Sequence, residues 1–106
     1  MKDEQIEKIK LAVRSADHIS PEKKAELLRL ISNLRPVIAK ASRTHDEHAA
    51  KIARLVEASA HEAARKKPTK NLLDELERSV EKFEASHPEL VAAVTEYTAF
   101  LSAVGI

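Results

Sequence analysis

The sequence has no cysteine or tryptophan, and its 106 residues include only one glycine, four prolines and three aromatic residues. Without cysteine the chain can form neither a disulfide nor a thiolate metal site. One glycine leaves too few turn formers for the tight connections of an all-β fold of this length. No glycine-rich loop, paired nucleophile and base, or other catalytic pattern is present. We therefore expect a helical protein that is not an enzyme.

The charges nearly cancel, since 18 Lys and Arg oppose 17 Asp and Glu to give a net charge of +1. This balance gives no general reason to expect nucleic acid or another acidic partner. The first residues lead into charged sequence without the apolar core of a secretory signal, so we expect a cytoplasmic protein. The most apolar stretch, Leu90 to Ile106, is interrupted by Glu96 and lies at the short limit for a membrane span. We expect no membrane contact.

Apolar residues recur at helical spacing through most of the chain and predict an all-α fold. We expect one domain over residues 1–106, folded as a four-helix antiparallel bundle or hairpin. The first helix covers about residues 3–17. Ser20 and Pro21 form a typical start for the second helix, with Ser20 as cap and Pro21 in the first turn.

The second helix carries a ladder of apolar residues with alternating steps of four and three, as in a coiled-coil seam: Leu27, Ile31, Leu34, Ile38 and Ala41. Pro36 lies inside this ladder, and because the stripe keeps its phase we expect a kink there and no helix end. The polar residues 42–48 are a second possible break, since Thr44 and Glu47 have the spacing of a capping box. We favour one continuous helix from Pro21 to Lys67, a rod on the order of 70 Å long.

Such a rod is too long for short flanking helices to cover, so the sequence predicts self-association, most simply as a dimer. The expected seam between subunits consists of Leu27, Ile31, Leu34, Ile38, Ile52 and Val56. The leading functional hypothesis is therefore a non-enzymatic, homo-oligomeric helical interaction or scaffold protein.

The C-terminal third contains two further helices. Pro68 ends the preceding helix, and a third helix carries its apolar stripe from Leu72 to Phe83. Ser86 and Glu89 have capping-box spacing and predict the start of the fourth helix, while Gly105 is the expected residue beyond its end.

This third also carries a family resemblance. The run LERSVEKFEASHPEL from Leu76 to Leu90, followed by LSAVGI from Leu101 to Ile106, resembles small bacterial proteins catalogued as domain of unknown function 4404. The resemblance covers residues 72–106 and implies a helical bacterial protein; that family has no assigned activity, so it supplies no catalytic residue. We interpret the motif as structural, and its residues are Phe83, Ser86, His87, Pro88, Glu89, Leu101, Gly105 and Ile106.

Three histidines are the candidates for metal binding. His45 and His48 share a helix face, and His61 follows on the same predicted helix. A helical di-metal site needs Glu-x-x-His on two helices and acids from two more, which this sequence does not supply. We expect no metal or other cofactor. Metal or ligand binding around His45 and His48 is the alternative function.

Two other groups have structural and functional interpretations. The cluster Arg65, Lys66, Lys67 and Lys70 has no interleaved aromatic residues, so we interpret it as charge at a helix end, with weak nucleic-acid binding as a further alternative. Tyr97 and Phe100 are interpreted as core and rim residues, although they could face a ligand.

Overall fold

The computed structural model describes residues 1–66 and 70–103. These residues form five α-helices and one short 3₁₀ helix, and they include no strand. In chain order the elements are α1 (Asp3–Arg14), α2 (Pro21–Ser42), α3 (Asp46–Arg65), α4 (Lys70–Val80), the 3₁₀ helix (Glu81–Phe83) and α5 (Pro88–Ala103). The all-α prediction is confirmed, and the number of helices is five where four were predicted.

The extra helix arises because the chain turns at residues 43–45. The Ala41 carbonyl accepts the Thr44 N–H at 3.2 Å, the Thr44 hydroxyl at 3.3 Å and the His45 N–H at 3.0 Å. These bonds satisfy the end of α2 in a tight turn, as Ser and Thr do when they compete for helical carbonyls. The continuous helix from Pro21 to Lys67 is therefore wrong. The described residues span 39 × 26 × 19 Å, and the 70 Å rod is replaced by a hairpin of α2 and α3.

The observed first residue and cap agree with the sequence prediction for α2 and differ from it for α3. The Ser20 hydroxyl accepts the Lys23 N–H at 3.3 Å and Pro21 occupies the first turn, as predicted, and α2 continues through Pro36. At α3 the N-cap is His45, whose carbonyl accepts the Ala49 N–H at 2.9 Å. The predicted cap, Thr44, instead belongs to the turn that ends α2.

The helices pack as a closed ring with one additional helix. α2 packs against α3, α3 against α4, α4 against α5, and α5 against α2. α1 packs against α3 and α2, where Ile9 and Val13 are fully buried. The segment after α1 is fixed to the end of α3, because the His18 Nε2 donates to the Ala63 carbonyl at 2.9 Å.

The predicted seam between subunits lies inside this single chain. All of its side chains are at most 3% exposed: Leu27, Ile31, Leu34, Ile38, Ile52 and Val56. Once the chain folds back at residues 43–45, α3 and α5 cover the stripe of α2 that the straight rod would have left bare. The assignment of these residues to a subunit interface is corrected: they form the intramolecular core.

Little apolar surface remains on the part of the chain that the structure describes. Among these residues, the only large hydrophobic side chain that is exposed is that of Leu11, with 64% of its surface accessible to solvent. Within residues 1–66 and 70–103, every helix is too short or too polar to cross a membrane.

The C-terminal helices differ from the sequence prediction at one boundary. α5 begins at Pro88, and the His87 carbonyl accepts the Leu90 and Val91 N–H groups at 3.0 and 3.4 Å. The N-cap position is therefore His87, one residue after the predicted Ser86. Leu101 is buried in the core. Four residues with predicted roles lie outside the described residues: Lys67, Pro68, Gly105 and Ile106.

Candidate functional site

A surface cleft of about 470 Å³ separates one face of α3 from one face of α4. We call it the α3–α4 cleft. Its lining side chains are His48, Lys51, Glu75, Arg78, Ser79 and Lys82.

The spacing of these residues explains why they face one another. His48 and Lys51 are three apart on α3, and the other four lie at positions i, i+3, i+4 and i+7 along α4 and the 3₁₀ helix that extends it. Residues at this spacing share one face of a helix. The opposite face of α4 holds Leu73, Leu76 and Val80 in the core. Burial of that apolar face fixes the polar face toward the cleft.

Three polar contacts organise the cleft. The Lys51 ammonium lies 3.7 Å from the Glu75 carboxylate, and the Ser79 hydroxyl donates to the Glu75 backbone carbonyl at 2.8 Å. The Lys82 Nζ lies 3.1 Å from the His48 Nδ1. Because an ammonium group only donates, His48 Nδ1 is the acceptor and the imidazole proton sits on Nε2.

Arg78 is the member of the cleft without a partner. Its guanidinium has no hydrogen bond or ion pair to any described residue. Lys82 lies four residues further on, and like charges at this spacing destabilise a helix by about 0.2 to 0.5 kcal/mol. With His48 neutral, the lining carries three cations and one carboxylate, which leaves two positive charges uncompensated. This arrangement can bind an anion.

A cluster of rings around Phe83 adjoins the cleft. Phe83 is fully buried. Its ring centroid lies 5.4 Å from that of His45 and 6.5 Å from that of His48, both in edge-to-face orientation. The His87 ring is tilted against it, with 5.8 Å between centroids. Edge-to-face arrangements of this kind are the favourable ones for aromatic rings. His48 belongs both to this cluster and to the cleft. The packing of Phe83 therefore supports one wall of the cleft.

His87 connects the start of α5 to the turn between α2 and α3. It is 8% exposed, and its Nε2 lies 3.2 Å from the Thr44 hydroxyl. Its Nδ1 is buried without a hydrogen bond, 3.6 Å from the Glu89 carboxylate. The pKa of Glu89 is lowered chiefly by a hydrogen bond from its own backbone N–H, with further contributions from Lys40 and His87.

The predicted metal candidates are not brought together. The His45 and His48 rings are 6.3 Å apart between centroids, but His61 lies 13 residues after His48 on α3, about 20 Å away along the helix. Residues 1–66 and 70–103 contain no group of three His, Asp or Glu side chains placed to hold a metal ion. His61 therefore lies apart from His45 and His48, and metal or ligand binding around His45 and His48 stays a prediction.

The other residues that the sequence offers as binding candidates, the described residues of the basic cluster and the two aromatic residues of α5, lie outside the cleft. Arg65 and Lys66 are exposed at the end of α3 and Lys70 is exposed at the start of α4. Phe100 is partly buried at the edge of the core. Tyr97 is fully buried, and burial raises the pKa of its hydroxyl above its usual range.

The tyrosine hydroxyl is satisfied within the core. It donates to the Val56 carbonyl at 3.1 Å and lies 2.7 Å from the Ser59 hydroxyl. Tyr97 thus joins α5 to α3 within the core.

Sequence reasoning missed the residues of α4 that line the cleft. Glu75, Arg78, Ser79 and Lys82 form the pattern E-x-x-R-S-x-x-K, which places four polar side chains on one helix face. The same spacing occurs on any solvated helix, so it becomes informative only when α3 brings His48 and Lys51 opposite it.

Comparison with known proteins gives one match. The sequence model of the family described as Domain of unknown function (DUF4404) matches residues 44–106. All residues of the α3–α4 cleft and the ring cluster around Phe83 lie within this range. No curated protein and no solved structure matches the chain significantly.

Proposed function

This chain belongs to the DUF4404 family, and we propose that it is a non-enzymatic helical interaction protein that binds an anionic group of its partner in the α3–α4 cleft. The observation that carries the proposal is the unpartnered Arg78 guanidinium, which lies beside Lys82 in a cleft with two uncompensated positive charges. Guanidinium groups recognise carboxylates and phosphates through paired, charge-assisted hydrogen bonds.

The polar contacts of the cleft favour binding over catalysis. Ser79 uses its hydroxyl proton on the Glu75 backbone carbonyl, and the His48 Nδ1 accepts from Lys82. A nucleophilic serine needs its hydroxyl within hydrogen-bond reach of a free base. The contacts of Ser79 and His48 hold these two groups in other roles.

A titration with simple anions tests the proposal. We expect citrate or inorganic phosphate, added to the ¹⁵N-labelled protein, to shift the backbone amides of residues 48–51 and 75–82. The shifts should weaken as sodium chloride is added, because exposed charges are screened. They should be lost in Arg78→Gln and kept in Arg54→Gln, which changes an exposed arginine of α3 outside the cleft. Absence of shifts with every anion would refute the proposal.

Self-association, favoured as a dimer, remains a prediction of the sequence, although the seam that motivated it is used inside the chain. A dimer therefore requires a different surface. Light scattering at tens of micromolar protein tests this point directly. A dimer mass would support the scaffold hypothesis, and a monomer mass with intact helical circular dichroism would refute it.

Metal or ligand binding around His45 and His48 stays the alternative function, and weak nucleic-acid binding at Arg65, Lys66 and Lys70 stays a further alternative. A cytoplasmic location is part of the main proposal. Salt-dependent binding of duplex DNA, lost when the three cations are replaced by glutamine, would favour the nucleic-acid alternative.

A further inference from the structure

We propose that the anion taken by the α3–α4 cleft is a phosphate monoester in its dianionic form. This inference rests on the proposed function and specifies the ligand of the same site. Three features of the cleft carry it: the charge left uncompensated, the geometry of the donors and the volume available.

The charge of the lining matches a dianion. Lys51 and Glu75 lie 3.7 Å apart and offset each other, so the uncompensated charges belong to Arg78 and Lys82. A phosphate monoester carries about −1.5 to −2 at pH 7, whereas a phosphate diester or a single carboxylate carries one negative charge. Only the monoester among these groups satisfies both cations.

The donors also match a group with three terminal oxygens. The guanidinium of Arg78 presents a planar fork that binds two oxygens of a phosphate side by side. Lys82 lies one helical turn further along the same face, and its ammonium donates to His48 Nδ1 when no ligand is present. Transfer of one Lys82 hydrogen bond from His48 to the third oxygen completes the coordination. The fourth oxygen bears the ester carbon and needs no donor from the protein.

The cleft has room for more than the phosphate group. Its volume of about 470 Å³ lies in the range of sites for small organic ligands, about 300 to 1,000 Å³.

Binding of small phosphate compounds tests the proposal. At neutral pH and low salt we expect methyl phosphate to bind at least about tenfold more tightly than dimethyl phosphate or acetate, measured by ³¹P and ¹⁵N NMR titrations. Arg78→Gln and Lys82→Gln should each weaken methyl phosphate binding, and Arg54→Gln should leave it unchanged. Arg54, Arg78 and Lys82 are all exposed, so circular dichroism should show the same helical fold in each variant.

The outcomes separate this inference from the proposed function. If dimethyl phosphate and acetate bind as tightly as methyl phosphate, the monoester assignment is overturned while anion binding stands. If none of the anions binds, both proposals fall. A phosphoserine peptide that competes with methyl phosphate and binds more tightly would support a protein-borne monoester. A phosphoserine peptide that binds no more tightly than methyl phosphate would support a small phosphorylated molecule as the ligand.

Discussion

The replacement Phe83→Ala is the strongest test of how the C-terminal motif contributes to stability. Phe83 is fully buried at the end of the 3₁₀ helix that follows α4, and its ring lies against His45 and His48 at the start of α3 and against His87 at the start of α5. Alanine would remove the contact surface shared by these three segments. The space left cannot be filled by the polar imidazoles without loss of their own contacts.

The magnitude follows from burial. Truncation of a buried phenylalanine to alanine costs about 3 to 5 kcal/mol, and lost ring contacts place this site toward the upper end. A domain of this size has about 5 to 15 kcal/mol of total stability. The melting temperature of Phe83→Ala should therefore fall by more than about 10 °C.

Urea unfolding followed by far-UV circular dichroism measures this loss. Ser86→Ala is the matched control, because Ser86 is exposed in the same connection and does not occupy the N-cap position of α5. We expect that control to stay within about 0.5 kcal/mol of the parent. A loss below about 1 kcal/mol for Phe83→Ala would contradict the packing argument. If that variant stayed stable but no longer bound its partner, the motif would be a recognition surface.

Two further predictions concern polar groups. Tyr97→Phe removes a buried hydroxyl that hydrogen-bonds to the Val56 carbonyl and the Ser59 hydroxyl. The free energy of unfolding should fall by about 1 kcal/mol in the same urea experiment. An unchanged urea midpoint would show that these hydrogen bonds contribute nothing to stability. Glu89 has a pKa below its ordinary value of 4.5, so its contribution to stability is present above that pH and is lost as the pH falls through the lower, folded-state pKa. Glu89→Gln should flatten the acid limb of a stability–pH curve, and an identical curve would refute this assignment.

Much of the fold could be predicted from the period of the apolar residues. The stripes identified the helical parts of the chain but joined α2 and α3 into one helix, and Ser20 with Pro21 located the start of α2. The turn at residues 43–45 contains neither glycine nor proline, and the apolar stripe resumes after it, so the sequence marks residues 42–48 only as a possible break and favours a continuous helix. The choice between a straight helix and a hairpin depended on whether α2 buries its stripe against another subunit or against α3. That choice is made by tertiary packing.

The candidate site was less predictable than the fold. Arg78 and Lys82 have a spacing that any solvated helix can show, and His48 was noticed as a metal candidate. Their common cleft exists because α3 folds back beside α4, a consequence of the same turn. A sequence interpretation that assumed one long helix had no means to place these side chains together.

Because α1 lies beside a closed ring of four helices, the free energy of opening α1 should be lower than that of opening the ring. Release of α2, α3, α4 or α5 opens the central core, so the amide hydrogens of these four helices should exchange with solvent together, in global unfolding. α1 does not close the ring, and its release requires the loss of its own buried residues and of the Asp3–Arg35 ion pair. We therefore expect the amide hydrogens of α1 to exchange with solvent faster than those of the ring, through local opening. Such an opening would expose the apolar residues of α3 that α1 covers, whereas the described residues of the folded chain leave only Leu11 as a large exposed hydrophobic side chain.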